Sequence, residues 1–194
     1  AMVHPFLARM QQGPVLCDGA MGTQLYERGV RLDACFDAVT LTNPSLVLEI
    51  HRDYILAGAE IIETNTFGAN RYKLEAHGLA DRVREVNFRA VKVAREAREI
   101  TGQPVFIAGS IGPTGRTLAP LGRTPPEHVR AAYREQVEAL LEGGVALLII
   151  ETMSQLEEVR QAVLAAREVS DLPIVVQMTF ASDGRTLVGH TPEE

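Results

Sequence analysis

The chain of 194 residues carries 19 Lys and Arg against 25 Asp and Glu, which gives a formal net charge of −6. Hydrophobic residues make up 46% and charged residues 23%, so there is enough apolar surface for a core and whole-chain disorder is excluded. The acidic balance argues against nucleic-acid or membrane-surface binding. No stretch approaches the roughly 18 consecutive apolar residues that a membrane-spanning helix needs.

The two cysteines, Cys17 and Cys35, are too few for a disulfide framework or for a thiolate-rich metal site. The first residues lack a basic patch followed by an apolar run, so no secretory signal is visible. We therefore expect free thiols and a cytoplasmic location.

Short apolar runs alternate with helical patterns along the chain. Most of these runs are continuously apolar, as expected for parallel strands that are covered on both faces. Five runs are predicted as strands: residues 15–20, 60–66, 105–110, 145–152 and 173–180.

The segments between the strands have the period and the end signals of helices. Asn43, followed by proline, is typical of an N-cap, and apolar residues recur at helical spacing between Leu79 and Ile100. Thr124 and Ser154 begin capping-box patterns. Glycines stand where helices or turns should end: Gly58, Gly78, Gly102, Gly143 and Gly144. These signals predict an α/β protein.

Two architectures fit such a chain, an open doubly wound sheet and a closed (β/α)8 barrel. No Gly-x-Gly-x-x-Gly follows the first predicted strand, so the dinucleotide-binding open sheet lacks its usual marker. Barrel enzymes build their sites from the carboxyl ends of many strands. Polar side chains end all five predicted strands: Asp18, Glu63, Asn65, Thr66, Ser110, Glu151, Thr152 and Thr179.

We therefore predict a (β/α)8 TIM-type barrel. Because a complete barrel takes about 250 residues, we expect residues 1–194 to form a partial barrel domain. It would be truncated after about five βα units and would lack the last three strands.

Asp18 and Glu151 are the strongest candidate site residues. The Asp18 carboxylate can hold an ammonium group, and the glycines after it let backbone N–H groups approach a carboxylate, which suits an amino-acid ligand. Glu151 ends the most apolar strand and can share that ammonium across the barrel mouth. The alternatives are a tight turn with a solvated Asp18 and an internal ion pair or hydrogen bond at Glu151.

The segment 63–70 places donors and acceptors in a row. Strand alternation would send Thr64 and Thr66 to one side. Glu63 and Asn65 would then lie on the other side, so we expect only one of these pairs to face the barrel interior. The glycine-rich segment around Ser110 lacks the Lys of a P-loop, which favours a turn. His51 and His77 fall in predicted helices or helix ends, like His128, and are expected at the surface.

Five segments occur in a fixed order: 18–23 (DGAMGT), 63–70 (ETNTFGAN), 109–115 (GSIGPTG), 150–152 (IET) and 184–189 (GRTLVG). Together they resemble the homocysteine S-methyltransferase family, over roughly residues 13–192. That family includes the N-terminal homocysteine-binding module of cobalamin-dependent methionine synthase and the bifunctional homocysteine S-methyltransferase–methylenetetrahydrofolate reductases.

The resemblance implies a (β/α)8 barrel that transfers a methyl group to the sulfur of homocysteine, in methionine biosynthesis and one-carbon metabolism. It implies a zinc ion that binds the homocysteine thiol and presents a thiolate. The implied methyl donor is methylcobalamin or methyltetrahydrofolate, so the expected partners are homocysteine and a methyl-donor domain or cofactor.

Six residues match substrate-binding positions of the family: Asp18, Gly19, Ala20, Thr64, Asn65 and Glu151. Asp18 and Glu151 match the carboxylates that hold the amino group of the substrate. Gly19 and Ala20 match the backbone donors around the substrate carboxylate. Thr64 and Asn65 match the strand that lines the pocket.

The resemblance assigns the zinc to three cysteines, one after strand six and two after strand eight. Cys17 and Cys35 do not match these positions, so we predict no metal ligand and assign no catalytic residue in this chain. We therefore expect the isolated chain to be inactive. The alternatives are another barrel enzyme, a lyase or a pterin-binding enzyme using Asp18 and Glu151 as acid and base, and an inactive binding fragment.

Overall fold

A computed structural model describes residues 3–179 and Glu193. Its sheet has four strands: β1 Ile61–Glu63, β2 Phe106–Ile111, β3 Leu147–Met153 and β4 Ile174–Met178. All neighbouring strands are parallel and follow the order β1-β2-β3-β4. Because this order follows the chain without a reversal, the described sheet has no topological switch point. Parallel strands in chain order, each joined to the next by a helix, are the arrangement found in the wall of a (β/α)8 barrel.

Helices accompany the strands along the chain. They are α1 Pro5–Met10, α2 Met21–Glu27, α3 Val39–Thr42, α4 Pro44–Leu56, α5 Arg71–Glu75, α6 Val83–Thr101, α7 Pro126–Gly143 and α8 Leu156–Val169. Helices α4, α6, α7 and α8 cover the outer face of the sheet. In chain order α6, α7 and α8 each lie between two successive strands, as in repeated βα units. Within residues 3–179, no helix is both long enough and apolar enough to cross a membrane.

The prediction of a strand over residues 15–20 is wrong. This segment makes a single parallel bridge, between Cys17 and Ile61, at the free side of β1. The amide of Asp18 then donates to the carbonyl of Ile61 at 3.0 Å. The segment leaves the sheet after this bond because Ala20 starts the turn into α2. The predicted fifth strand is observed as β4, and the extent of the barrel beyond residue 179 stays a prediction.

The sheet has an apolar layer on each face. Along β3, Leu148 belongs to the cluster under the helices, whereas Leu147 belongs to a second cluster on the other face. Phe6 of α1 lies in this second cluster with 2% of its surface exposed. Its ring contacts Phe106 edge-on, with 5.4 Å between the ring centroids. Helix α1 therefore covers the inner face of the sheet, near the start of β2.

The helix ends agree with the sequence in part. Asn43 caps α4 by accepting a hydrogen bond from the amide of Leu46, which confirms the predicted start. Gly102 and Gly144 end α6 and α7 with positive φ, as predicted. Both predicted capping boxes are wrong. Helices α7 and α8 start after Pro125 and Gln155, and neither cap is held by a side chain.

The expectation that His51 lies at the surface is wrong. Its side chain is fully buried, with 0% exposure, and neither ring nitrogen has a hydrogen-bond partner within the described part of the chain. Burial lowers the pKa of this imidazole to about 4. The physical reason is position, because His51 follows Val47 and precedes Ile55 at a spacing of four on the buried stripe of α4.

Candidate functional site

A cavity of about 680 Å³ lies at the carboxyl ends of the strands. The last residues of β2 and β3, Gln177 of β4 and the segment that follows β1 line it, together with the start of α2 and the turn before α3. All six predicted substrate-binding residues line this cavity: Asp18, Gly19, Ala20, Thr64, Asn65 and Glu151. The structure thus brings them together, and their contacts with a substrate stay a prediction.

Three acids meet in the cavity: Asp18, Glu63 and Glu151. The carboxylate of Asp18 accepts a hydrogen bond from the backbone amide of Glu63 at 3.0 Å. Glu151 accepts a hydrogen bond from the hydroxyl of Ser110 at 2.7 Å. Among residues 3–179, none of the three acids forms an ion pair with a basic side chain. Lys73 also lines the cavity, but its positive charge acts on the carboxyl group of Asp37 instead.

Burial makes two of these acids, Asp18 and Glu63, hold their protons to higher pH than ordinary carboxyl groups. It raises the pKa of Asp18 to about 7, and the charge of Glu151 adds to the rise. It also raises the pKa of Glu63 well above its ordinary range, and the neighbouring Glu151 and Asp18 add to the rise. The charged form of a desolvated carboxyl group is stabilised again when a cation approaches it. The group is therefore suited to a ligand that brings a positive charge.

Hydrogen-bonded hydroxyls form the wall beneath the acids. The hydroxyls of Thr64 and Thr66 are 2.7 Å apart, and both are buried. Ser110 is held on both sides, because its amide donates to the hydroxyl of Thr64 at 3.2 Å and its carbonyl accepts from Thr66 at 2.7 Å. Ser110 in turn donates to Glu151. This chain of bonds fixes the Glu151 carboxylate in the cavity.

The expectation that only one pair from residues 63–66 faces the interior is wrong. Glu63, Thr64, Asn65 and Thr66 all line the cavity. Thr64 and Thr66 do lie on one side, as predicted, since their hydroxyls are 2.7 Å apart. Glu63 and Asn65 also reach the cavity where β1 ends. The amide of Asn65 donates to the carbonyl of Phe36 at 2.8 Å, which ties the segment before α3 to the cavity.

Two acids of the cavity are absent from the predicted substrate-binding set. Glu63 lies at a strand end, a signal that is visible in the sequence. Asp37 is buried and accepts a hydrogen bond from the amide of Gly68 at 3.0 Å, and burial raises its pKa to about 6. No sequence pattern indicates Asp37, because its place depends on the contact with the loop after β1.

Gly19 lies where a side chain would not fit. A Cβ atom there would lie 2.5 Å from the hydroxyl oxygen of Tyr54. The absence of a side chain lets the backbone of Gly19 and Ala20 line the cavity directly.

Helix side chains hold the cavity loops from behind. In the loop after β1, the carbonyl of Thr66 accepts from Gln136 of α7 and the carbonyl of Ala69 accepts from Asn87 of α6, both at 2.9 Å. Tyr133 of α7 donates to the carbonyl of Gly112 after β2 at 3.0 Å. All three helix side chains are fully buried: Asn87, Tyr133 and Gln136.

The loop after β2 is also attached to α8. Gln155 accepts from the amide of Leu118 at 3.0 Å and donates to the carbonyl of Arg116 at 2.8 Å. Glu158 accepts from both the amide and the hydroxyl of Thr114. This use of Gln155 explains why α8 has no side-chain N-cap.

The residues described do not fit a thiolate-bound zinc ion. Within residues 3–179, one group of three potential ligands lies close together, with atoms within 4.8 Å of one another: Cys17, Asp18 and Glu63. Partial burial and the two carboxyl groups raise the pKa of the Cys17 thiol, so it stays protonated at neutral pH. Cys35 is not part of this group, and the chain has no third cysteine.

The fold and the cavity define an α/β barrel-type protein with an acidic cavity at the carboxyl ends of the strands. Residues 15–194 match the homocysteine S-methyltransferase family. The chain therefore belongs to the homocysteine S-methyltransferase family. Of the segments that carry the resemblance, 184–189 lies outside the described residues.

Several known proteins are similar to this chain. It is 34% identical to methionine synthase of Mycobacterium tuberculosis over 194 residues, which cover 93% of this chain and 16% of that protein. The methionine synthase of Mycobacterium leprae is also 34% identical and is covered to 16%. The chain thus spans about a sixth of the length of these relatives.

The fold is similar to that of a solved methyltransferase. The metallated form of the homocysteine methyltransferase MmuM from Escherichia coli superposes with a TM-score of 0.84 at 30% identity. The match covers 97% of this chain and 71% of that one. The apo form of the same enzyme gives a TM-score of 0.75 at 28% identity. The α/β fold with its parallel sheet is therefore that of a homocysteine methyltransferase barrel.

Proposed function

We propose that the cavity binds L-homocysteine, as part of a methyltransferase that methylates the homocysteine sulfur and forms methionine. One observation carries this proposal: Asp18, Glu63 and Glu151 meet in the cavity without an ion-pair partner among the described residues. The ammonium group of an amino acid supplies the positive charge that these acids lack. The family and the homocysteine methyltransferase from E. coli support homocysteine as that amino acid.

In this proposal the chain's own residues hold the substrate. Asp18 and Glu151 accept hydrogen bonds from the ammonium group, and proton release from Asp18 accompanies binding because its pKa is about 7. The backbone of Gly19 and Ala20 faces the substrate carboxylate. Thr64 and Asn65 form the wall, so the thiol points towards the open side of the cavity.

We infer that sulfur activation and methyl donation depend on groups held elsewhere. The described residues do not fit the zinc ion expected for the family, so no step of the reaction is assigned to a metal here. The donor, methylcobalamin or methyltetrahydrofolate, would reach the thiol from the open side of the cavity. It would belong to a methyl-donor domain or be a separate cofactor.

Calorimetric titration tests the binding role of the acids. L-homocysteine should bind the wild-type protein, and 4-mercaptobutyrate, which lacks the amino group, should bind much more weakly. D18N and E151Q should each weaken homocysteine binding by about tenfold to a hundredfold, since a hydrogen bond to a charged group contributes about 1.5–3 kcal/mol.

The matched control is E99Q, which changes an exposed acid of α6 outside the cavity and should leave the affinity unchanged. Equal binding of the two ligands would contradict the proposal. So would a D18N protein that binds homocysteine as tightly as the wild type.

A further inference from the structure

Strand β3 contains a bulge at the cavity. It pairs regularly with β4 up to Ile150 and again from Met153. The two residues between them, Glu151 and Thr152, stand opposite a single residue of β4, Gln177. Such an extra residue is rare between parallel strands, and bulges often lie beside binding and active sites, where they redirect a side chain.

The bulge changes which side chains face the cavity. Strict alternation would put Glu151 and Met153 on the cavity side and Thr152 beneath the helices. Instead Met153 packs with Ile150 in the apolar cluster under the helices. Glu151 and Thr152 both line the cavity. The extra residue therefore adds Thr152 to the lining of the cavity.

Thr152 adopts an unfavourable backbone conformation at this point. Its φ is 60°, and it is the one non-glycine residue with a positive φ in the described part of the chain. A β-branched side chain is strained in this left-handed region, which glycine adopts without penalty. Strain of this kind is concentrated at functional sites, so it points to a use for the side chain.

The hydroxyl of Thr152 is available to a ligand. The residue is exposed, and no hydrogen bond joins its hydroxyl to another residue between 3 and 179. The adjacent Glu151 is one of the acids assigned to the substrate ammonium group. An ammonium group has three N–H donors, and the proposed function assigns two of them, one to Asp18 and one to Glu151.

We propose that Thr152 is a specificity-determining residue whose hydroxyl oxygen accepts the third N–H of the bound amino acid. This inference rests on the proposed function, in which the cavity binds the amino group of homocysteine. The bulge presents the hydroxyl beside Glu151, and the strain at Thr152 is the cost of keeping a side chain there.

Three substitutions separate the hydroxyl from the backbone. T152G removes the side chain and the strain, T152V keeps the branched shape without the hydroxyl, and T152S keeps the hydroxyl. Titration with L-homocysteine should show about tenfold weaker binding for T152G and T152V, and affinity within about threefold of wild type for T152S. T152G should not lower the Tm of the ligand-free protein. T117V, at an exposed threonine outside the cavity, is the control and should bind like wild type.

Wild-type affinity in both T152G and T152V would overturn the inference, as would a T152G protein with a lower Tm. The proposed function is tested separately by adding L-methionine and L-norleucine to the panel. If the wild type binds one of these instead of homocysteine, and T152V weakens that binding, the role of Thr152 stands and the homocysteine proposal fails. Failure of the wild type to bind any of the three amino acids would overturn both.

Discussion

Glu63 is the acid of the cavity whose surroundings oppose its charge most strongly. Its Oε1 atom is buried and has no hydrogen-bond partner among the residues described. Burial, together with Glu151 and Asp18, raises its pKa. The folded protein therefore keeps a proton on Glu63 at pH values where the unfolded chain, with an ordinary pKa of 4.5, has released it.

This difference predicts a pH-dependent contribution to stability. Between pH 4.5 and the raised pKa of Glu63, the folded state binds more protons than the unfolded state. The contribution of Glu63 to the free energy of unfolding is then complete below pH 4.5 and decreases as the pH rises through this window. E63Q removes this titration, so its Tm should fall less than that of the wild type between about pH 5 and pH 8.

Thermal unfolding followed by circular dichroism at several pH values checks this prediction. E99Q, which changes an exposed acid, should follow the wild-type curve. Parallel curves for E63Q and the wild type would show that the folded and unfolded states hold the Glu63 proton equally.

Part of the site could be predicted at the level of single residues. Acids at the ends of apolar strands are visible in the sequence, which is why Asp18 and Glu151 could be predicted to lie together. His51 could have been assigned to the core from its spacing to the apolar residues of α4. Thr152 is one of the predicted polar strand ends, but its position on the same side as Glu151 could not be predicted, because the bulge depends on how β3 pairs with β4.

At the level of elements, Gln155 connects α8 to the loop after β2. It is mostly buried, with 9% exposure, and it makes hydrogen bonds to two backbone groups of that loop. Q155A would leave the amide of Leu118 and the carbonyl of Arg116 without these partners. A buried polar group that loses its partner costs about 1–3 kcal/mol.

Q155A should therefore lower the Tm by several degrees, since 1 kcal/mol corresponds to about 2–4 °C in a chain of this size. Hydrogen exchange at the amide of Leu118 should also become faster. Q103A, at an exposed glutamine before β2, is the matched control and should change neither quantity. Unchanged exchange at Leu118 in Q155A would contradict the role of Gln155 in holding the loop.

Sequence patterns do not determine where α8 starts or how far the segment 15–20 pairs with β1. Ser154 begins a capping-box pattern, but α8 starts one residue later and the Gln155 side chain turns to the loop. The segment 15–20 has the apolar pattern of a strand but forms a single bridge, because its neighbour β1 is only Ile61–Glu63. The long helices α6 and α7 were predictable, since their apolar stripes and terminal glycines are local features.

For the whole molecule, the alternation of strands and helices predicts the observed order of parallel strands. The polar strand ends favoured a barrel over an open sheet, and the likeness to a homocysteine methyltransferase confirms that class. The number of strands that complete the barrel stays a prediction.

Ligand binding should stabilise the whole molecule if the cavity holds homocysteine. At a free concentration of 100 times the dissociation constant, a ligand that binds only the folded state adds about 2.7 kcal/mol. This corresponds to a rise in Tm of roughly 5–10 °C for a chain of this size. Thermal unfolding with L-homocysteine should show this rise, and 4-mercaptobutyrate at the same concentration should give a much smaller one. Equal shifts for both ligands would mean that the amino group is not recognised.

The attachment of the cavity loops to the helices has a consequence for the thermodynamics of binding. Because Asn87, Tyr133 and Gln136 already hold the backbone around the cavity, the conformational entropy of these loops is lost when the protein folds. A ligand then meets a preorganised pocket, and little further ordering opposes association. The affinity then depends mainly on how favourably the ammonium group replaces the water and protons around the acids.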